Sequence, residues 1–147
     1  KYMTFQSGDE SYAIPIHYVN EIIGLQKITE VPETANYIKG LINLRGKIIP
    51  VIDVRLRFGK EPLEYNDRTC VIVITVNKVV VGLIVDTIAD VVNIAEENIV
   101  PPPHMVNNSG AQRFVYGIGK IGDEVKLLID PANLISDEEQ ELLEGLH

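Results

Sequence analysis

The chain has 147 residues, room for one domain or two very small ones, and 46% of them are hydrophobic, which excludes an intrinsically disordered chain. Lys and Arg number 13 against 21 Asp and Glu, a formal charge of −8. Such a balance argues against the phosphate backbone of nucleic acid and against anionic membranes as partners.

The dominant hydrophobic period is two, the signature of strands. In chain order, YMTF (2–5) and SYAIPI (11–16) flank the turn signal Ser7-Gly8-Asp9 and predict a first β-hairpin. HYVNEII (17–23) predicts a short helix, and VPETANYIK (31–39) one or two helical turns with Pro32 near their start. GLINL (40–44) and KIIPVIDV (47–54) flank Arg45-Gly46 and predict a second hairpin. Pro50 has no N–H, so it belongs at a barrel corner or an edge, where no ladder bond is lost. CVIVITV (70–76) and VVVGLIV (79–85) flank Asn77-Lys78, a third hairpin. IVPPPHMV (99–106) carries three prolines, which predict an extended surface segment outside any sheet. A fourth hairpin is predicted around Gly122-Asp123, ending in EVKLLID (124–130). In the tail, Ser136 and Glu139 form a capping box before Leu142, Leu143 and Leu146, which predicts a helix over 137–146.

The apolar runs are too short to span a bilayer as helices, and no basic-then-apolar leader pattern opens the chain. The lone Cys70 lies in an apolar run and reads as a core thiol; without a second cysteine the chain fits a reducing compartment. The first residue is Lys1, which leaves open a domain cut from something longer.

The chain also repeats itself. Shifted by 69 residues, Ile14, Ile16, Val19, Glu21 and Ile22 fall on Leu83, Val85, Ile88, Asp90 and Val91. Shifted by 77, YIKGLINLRGKIIPVID (37–53) falls without a gap on FVYGIGKIGDEVKLLID (114–130), Gly40 on Gly117 and Asp53 on Asp130. These observations predict a mainly all-β protein of two similar small barrels, roughly residues 1–65 and 66–135, with short helices and a C-terminal helix. Strands apolar on both faces, as Leu41, Ile42, Leu44, Ile48, Ile49 and Val51 suggest, fill a barrel with one face and pack on the second barrel with the other.

Residues that carry chemistry are sparse. A literal GxGxxG occupies Gly117–Gly122, but a strand pattern follows it where a phosphate cradle needs a helix. His17, His104 and His147 have no metal-ligand partner at helical spacing, so no metal and no cofactor is expected. Asp53 and Asp130 end strands and are expected to accept from nearby backbone N–H groups. Asp86, Asp90 and Glu21 could share a site, yet without a His, Cys or Gly-rich cradle they do not make a catalytic set. A non-enzymatic, β-rich binding module is the expected class.

The strings YAIPIHYVNEI (12–22), VPETANYIKGLINLRGKIIPVIDVRLRFG (31–59) and VVVGLIVDTIADV (79–91) resemble the CheW family of chemotaxis coupling proteins. The NLRG-x-x-x-PV-x-D pattern over 43–53, together with VGLIVD, is specific, and the resemblance runs over nearly the whole chain. It implies two linked SH3-like five-stranded barrels and no enzymatic activity. It implies an adaptor that joins the regulatory domain of the histidine kinase CheA to the cytoplasmic tips of chemoreceptors, in ring-like arrays. A CheW-like domain of a CheV protein stays open. The resemblance places receptor contacts on Val19, Glu21, Arg45, Ile88 and Val91. It places kinase contacts on Ile16 and Ile28 in the first barrel and on Val100 and Met105 in the second. From residues alone, Arg45 is either a solvated turn residue or a fork of donors projecting towards a partner. Val19, Ile22, Ile88 and Val91 either fill the barrels or line a groove between them.

Overall fold

The computed structural model describes residues 1–32, 34–102 and 114–135. Eleven strands follow one another among the described residues: β1 (Tyr2–Ser7), β2 (Glu10–Pro15), β3 (Val19–Gly24), β4 (Ile38–Leu44), β5 (Lys47–Asp53), β6 (Cys70–Val76), β7 (Val79–Val85), β8 (Thr87–Val92), β9 (Ile99–Val100), β10 (Val115–Ile121) and β11 (Glu124–Ile129). One short α-helix, α1 (Val54–Arg57), and three 3-10 turns (Ile16–Tyr18, Glu96–Asn98 and Pro131–Leu134) join them.

All four expected hairpins form: β1–β2, β4–β5, β6–β7 and β10–β11. Arg45 and Gly46 both take positive φ, 50° and 86°, as do Asn77 and Lys78 at 49° and 70°. Two-residue turns of this hand match the twist of the strands they join. Pro50 lies opposite Leu41, one residue before the β5–β7 ladder opens at Val51. It therefore stands where β5 has a neighbour on one side only, as its missing N–H requires.

The strands form a six-stranded sheet, β8-β1-β2-β11-β10-β9, and a five-stranded sheet, β3-β6-β7-β5-β4. Each sheet curls closed through the chain beyond its first strand. After β3, Thr29 exchanges two backbone hydrogen bonds of 2.8 Å with Leu41 of β4. After β8, β9 pairs with β10. Val100 is therefore part of a sheet, which corrects the expectation of a purely surface segment at 99–106 for its first two residues. Gly40 makes the first closure possible. Its φ is +145°, and a Cβ there would lie 2.1 Å from the Thr29 carbonyl oxygen.

The barrels do not divide at residue 65. The five-stranded barrel is continuous from β3 to β7, and β1 and β2 join β8–β11 in the other. Each half of the repeat gives its first hairpin to the barrel of the other half, through the parallel pairs β2–β11 and β5–β7. The repeat itself holds to the residue. Ala13 lies opposite Leu128, and Gly82 (13 + 69) lies opposite Val51 (128 − 77). The β4–β5 register shift between Ile38 and Gly40 recurs in β10–β11 between Val115 and Gly117.

Packing explains the exchange. Along β6, Ile72, Ile74 and Val76 enter one core, and Val71 and Val73 enter another. β7 does the same, with Val79, Val81, Leu83 and Val85 on one face and Val80 and Ile84 on the other. The first core lies between the barrels and collects repeat equivalents: Met3 and Ile72, Phe5 and Ile74, Ile14 and Leu83, Ile129 and Ile52, Phe114 and Tyr37. The second fills the five-stranded barrel around Ile42, Ile49 and Val51. Each fully buried Ile or Phe contributes about 1.5–3 kcal/mol of transfer free energy. β5 is two-faced as well in its second half, with Ile49 and Val51 in the second core and Ile52 in the first; Ile48, expected to be buried, is 43% exposed near the β4–β5 turn.

Three local expectations change. HYVNEII holds a 3-10 turn at Ile16–Tyr18 and then β3, because Val19 and Ile23 pack on the two cores as the strand pairs with β6, while Ile22 stays exposed. Residues 31–39 contain turns and the start of β4, with no helix among the described residues. The short helix comes instead after Asp53, whose carboxylate accepts from the Leu56 N–H at 3.3 Å. Asp130 repeats the arrangement with the Ala132 N–H at 3.0 Å. The predicted helix over 137–146 lies outside the described residues.

Candidate functional site

The core between the barrels is closed on one flank and edged with apolar residues on the other. On the closed flank, α1 and the 3-10 turn Pro131–Leu134 contribute Val54, Phe58 and Leu134. Arg57 lies 4.4 Å from the ring centroid of Tyr37 and 4.9 Å from that of Phe114, and its Nε donates to the Leu134 carbonyl at 2.6 Å. The cation thus bridges the two repeat-equivalent rings.

On the other flank stand the terminal strands of the two sheets. Among the described residues, β3 pairs only with β6, and β8 only with β1. Val19 lies opposite Ile74 and Ile22 opposite Ile72. Ile88 lies opposite Phe5 and Val91 opposite Met3. Directly opposed residues share a face, and all four partners belong to the core between the barrels. Val19 and Ile88 pack against that core at its margin. Ile22 and Val91, equivalent under the 69-residue shift, remain 38% and 51% exposed. The margin is therefore two matched apolar edges, one from each barrel.

Glu21 and Arg45 occupy a different face. Glu21 lies opposite Val73, which points into the five-stranded barrel. Its Oε2 accepts a hydrogen bond from Arg45 Nη2, and the Arg45 side chain is largely exposed. Asn43 Oδ1 accepts from the Gly46 N–H at 2.9 Å and fixes the turn that carries the arginine. Of the five residues on which the resemblance placed receptor contacts, Val19, Ile88 and Val91 share the apolar margin, and Glu21 and Arg45 form an ion pair beside it. Ile22 was not among the five; its place in the repeat beside Val91 was the signal for it.

The residues assigned to kinase contact are spread. Ile16 is half-buried against the core between the barrels. Ile28 is half-buried against the interior of the five-stranded barrel, on the closing segment that passes Gly40. Val100 is half-buried in β9. Met105 lies outside the described residues.

The acidic residues do not converge. Asp86 Oδ2 accepts from Arg55 Nη1 at 2.9 Å and from the Gly8 N–H at 2.8 Å. Glu21 pairs with Arg45 and Asp86 with Arg55, so the two carboxylates are held by different partners. Lys60 Nζ donates to the Ser7 carbonyl and to Tyr12 Oη, and burial lowers its pKa. Burial, then the hydrogen bond to Glu10, raises the pKa of Tyr12. Among the described residues, no three His, Cys, Asp or Glu side chains group together as metal ligands would. The GIGKIG string lies in β10 and its turn and leads into β11, so no helix N-terminus faces it.

The family described as "CheW-like domain" matches residues 1–139. The chain belongs to the CheW-like family. It is 36% identical over 146 residues to a protein of Klebsiella aerogenes named "Chemotaxis protein CheW", covering 99% of this chain and 87% of that one. It is also 36% identical over 139 residues to the protein of that name from Bacillus subtilis, covering 95% and 88%. A solved structure, the scaffolding protein TtCheW from Thermoanaerobacter tengcongensis, superposes with a TM-score of 0.86 at 37% identity and covers 97% of each chain. The two SH3-like barrels that the resemblance implied are therefore the fold of this CheW-like chain. Among its described residues no helix is long and apolar enough to cross a membrane.

Proposed function

We propose that this CheW-like chain is a non-catalytic adaptor that couples the cytoplasmic tip of a chemoreceptor to the regulatory domain of the kinase CheA. It works in the cytoplasm, in ring-like arrays with the kinase beneath the receptors, and needs no cofactor. The observation that carries the reading is the pair of matched apolar edges, Val19 and Ile22 on β3 and Ile88 and Val91 on β8. They border a core whose opposite flank is already closed by α1 and Pro131–Leu134. An amphipathic helix of a receptor tip lays apolar residues at i, i+3 and i+4 into such a margin, and the Glu21–Arg45 pair meets its polar side.

The kinase contacts use other surfaces, Ile16 and Ile28 from the segments around β3, Val100 from β9, and Met105. Ile28 and Val100 lie on elements other than β3 and β8, which leaves the Ile22 and Val91 edges free for the receptor while the kinase is bound. Co-sedimentation with a receptor tip fragment and with a CheA regulatory domain, each separately, tests the reading. Binding to both supports it; binding to neither overturns it.

A further inference from the structure

The chain passes from the five-stranded barrel to the six-stranded one through a single residue, Asp86, between β7 and β8. That residue is held from three sides. Its backbone N–H donates to the Gln6 carbonyl at 3.2 Å, which extends the β1–β8 ladder back from the Gln6–Thr87 pair. Its Oδ2 accepts from the Gly8 N–H in the β1–β2 turn and from Arg55 Nη1 on α1. Arg55 is fixed in turn, since its Nε donates to the Glu61 carbonyl at 3.1 Å. Both side chains are mostly withdrawn from water, at 17% for Arg55 and 24% for Asp86, so this pair is screened less than a surface ion pair. The repeat places His17 at the position of Asp86 (86 − 69) and Ala132 at that of Arg55 (55 + 77), so the brace has no counterpart at the other crossing.

We infer that Arg55 and Asp86 are positioning residues for partner binding: they pin the start of β8 and thereby set where Ile88 and Val91 stand against β3. β8 needs such a pin. Its residues 89–91 are exposed and it pairs with one neighbour only, so apolar packing holds it weakly. Neither Arg55 nor Asp86 lies on the apolar margin. This inference rests on the proposed receptor function, and its test separates the two.

Asp86→Ala and, as a second variant, Arg55→Gln are compared with the parent chain by amide hydrogen exchange and by titration with a purified receptor tip fragment; Arg55→Lys, which keeps the cation, serves as the conservative variant. Expected are faster exchange over Thr87–Val91 with unchanged protection over Val71–Val85, and a Kd for the tip raised about tenfold. Arg55→Lys recovers part of both. Unchanged exchange over Thr87–Val91 in both variants overturns the brace. Faster exchange there with unchanged affinity overturns the positioning role. If the parent chain itself does not bind the tip, the receptor reading fails, and the exchange data still decide whether the brace exists.

Discussion

Arg45 donates to Glu21 across 24 residues of sequence, joining the β4–β5 turn to β3 at a point where no backbone pairing links the two. A solvent-exposed pair of this kind contributes about 0–1 kcal/mol to stability, too little to account for an arginine at a positive φ by folding alone. Its side chain is better placed to present a fixed guanidinium beside the apolar margin.

Arg45→Asp should therefore weaken receptor-tip binding by about 2 kcal/mol, a hot-spot loss, with the melting temperature nearly unchanged. Calorimetric titration and thermal unfolding measure the two effects. The swapped pair Glu21→Arg with Arg45→Glu separates the roles. It restores an internal ion pair but should not restore binding, because the partner meets the opposite charge pattern. Unaltered binding in Arg45→Asp, or gross unfolding, contradicts the assignment.

Ile22→Asp and Val91→Asp change exposed members of the two edges. Each should alter unfolding free energy by roughly 0.5 kcal/mol and weaken tip binding by more than about 1 kcal/mol. The repeat predicts comparable losses from the two sites. A loss from only one edge would show that the partner uses a single barrel.

Gly40→Ala should destabilise the fold by on the order of 3 kcal/mol. The added Cβ meets the backbone oxygen of Thr29, which cannot swing aside as a side chain can, and φ at +145° disfavours any L side chain. Chemical denaturation measures the cost. Gly46, also at positive φ, has nothing within 4 Å of its added Cβ, and Gly46→Ala should cost less. Equal costs would rule out barrel closure as the reason for Gly40.

The hairpins and the repeat were legible because turn chemistry and apolar alternation are local properties. Ser7-Gly8-Asp9, Arg45-Gly46, Asn77-Lys78 and Gly122-Asp123 each sit between strands that pair directly. β3 was not legible. Val19, Ile22 and Ile23 stand at i, i+3 and i+4, a helical spacing, and the register shift between Val19 and Glu21 breaks the strand alternation that would have revealed it. The exchange of hairpins between barrels was hidden for another reason. It depends on the parallel pairs β2–β11 and β5–β7, whose members are far apart in sequence and leave no local mark. The family resemblance pointed to Glu21 and Arg45 one by one, and only the closed barrel shows them as a pair. The Arg55–Asp86 brace left no pattern that spacing could reveal.

Ile28→Glu should lose binding to the isolated regulatory domain and keep tip binding. Ile28 also packs on the barrel interior, so a stability loss of about 1–3 kcal/mol is expected with it. Circular dichroism at the assay temperature checks that the variant is folded. Retained kinase-domain affinity in the folded variant places that contact elsewhere.

Alkaline stability follows from two tyrosines. Burial raises the pKa of Tyr12 and of Tyr65, and hydrogen bonds to Glu10 and Asp53 add to it. A raised folded pKa gives stability that is fully present below the unfolded value, about 10, and lost as pH rises beyond it. Unfolding free energy should therefore fall above about pH 10. In Tyr65→Phe, which removes the 2.7 Å bond to Asp53, the slope should be shallower and stability at neutral pH lower by about 1–2 kcal/mol. An unchanged slope contradicts the role of Tyr65.

As the adaptor proposed above, one small body holds two partners on separate surfaces. Sedimentation velocity on the chain with a receptor tip fragment and a CheA regulatory domain, alone and together, tests it most directly. Expected are two binary complexes and a larger ternary complex, with the binary affinities preserved within it. Competition between the two partners, or failure of the chain to bind either, contradicts it.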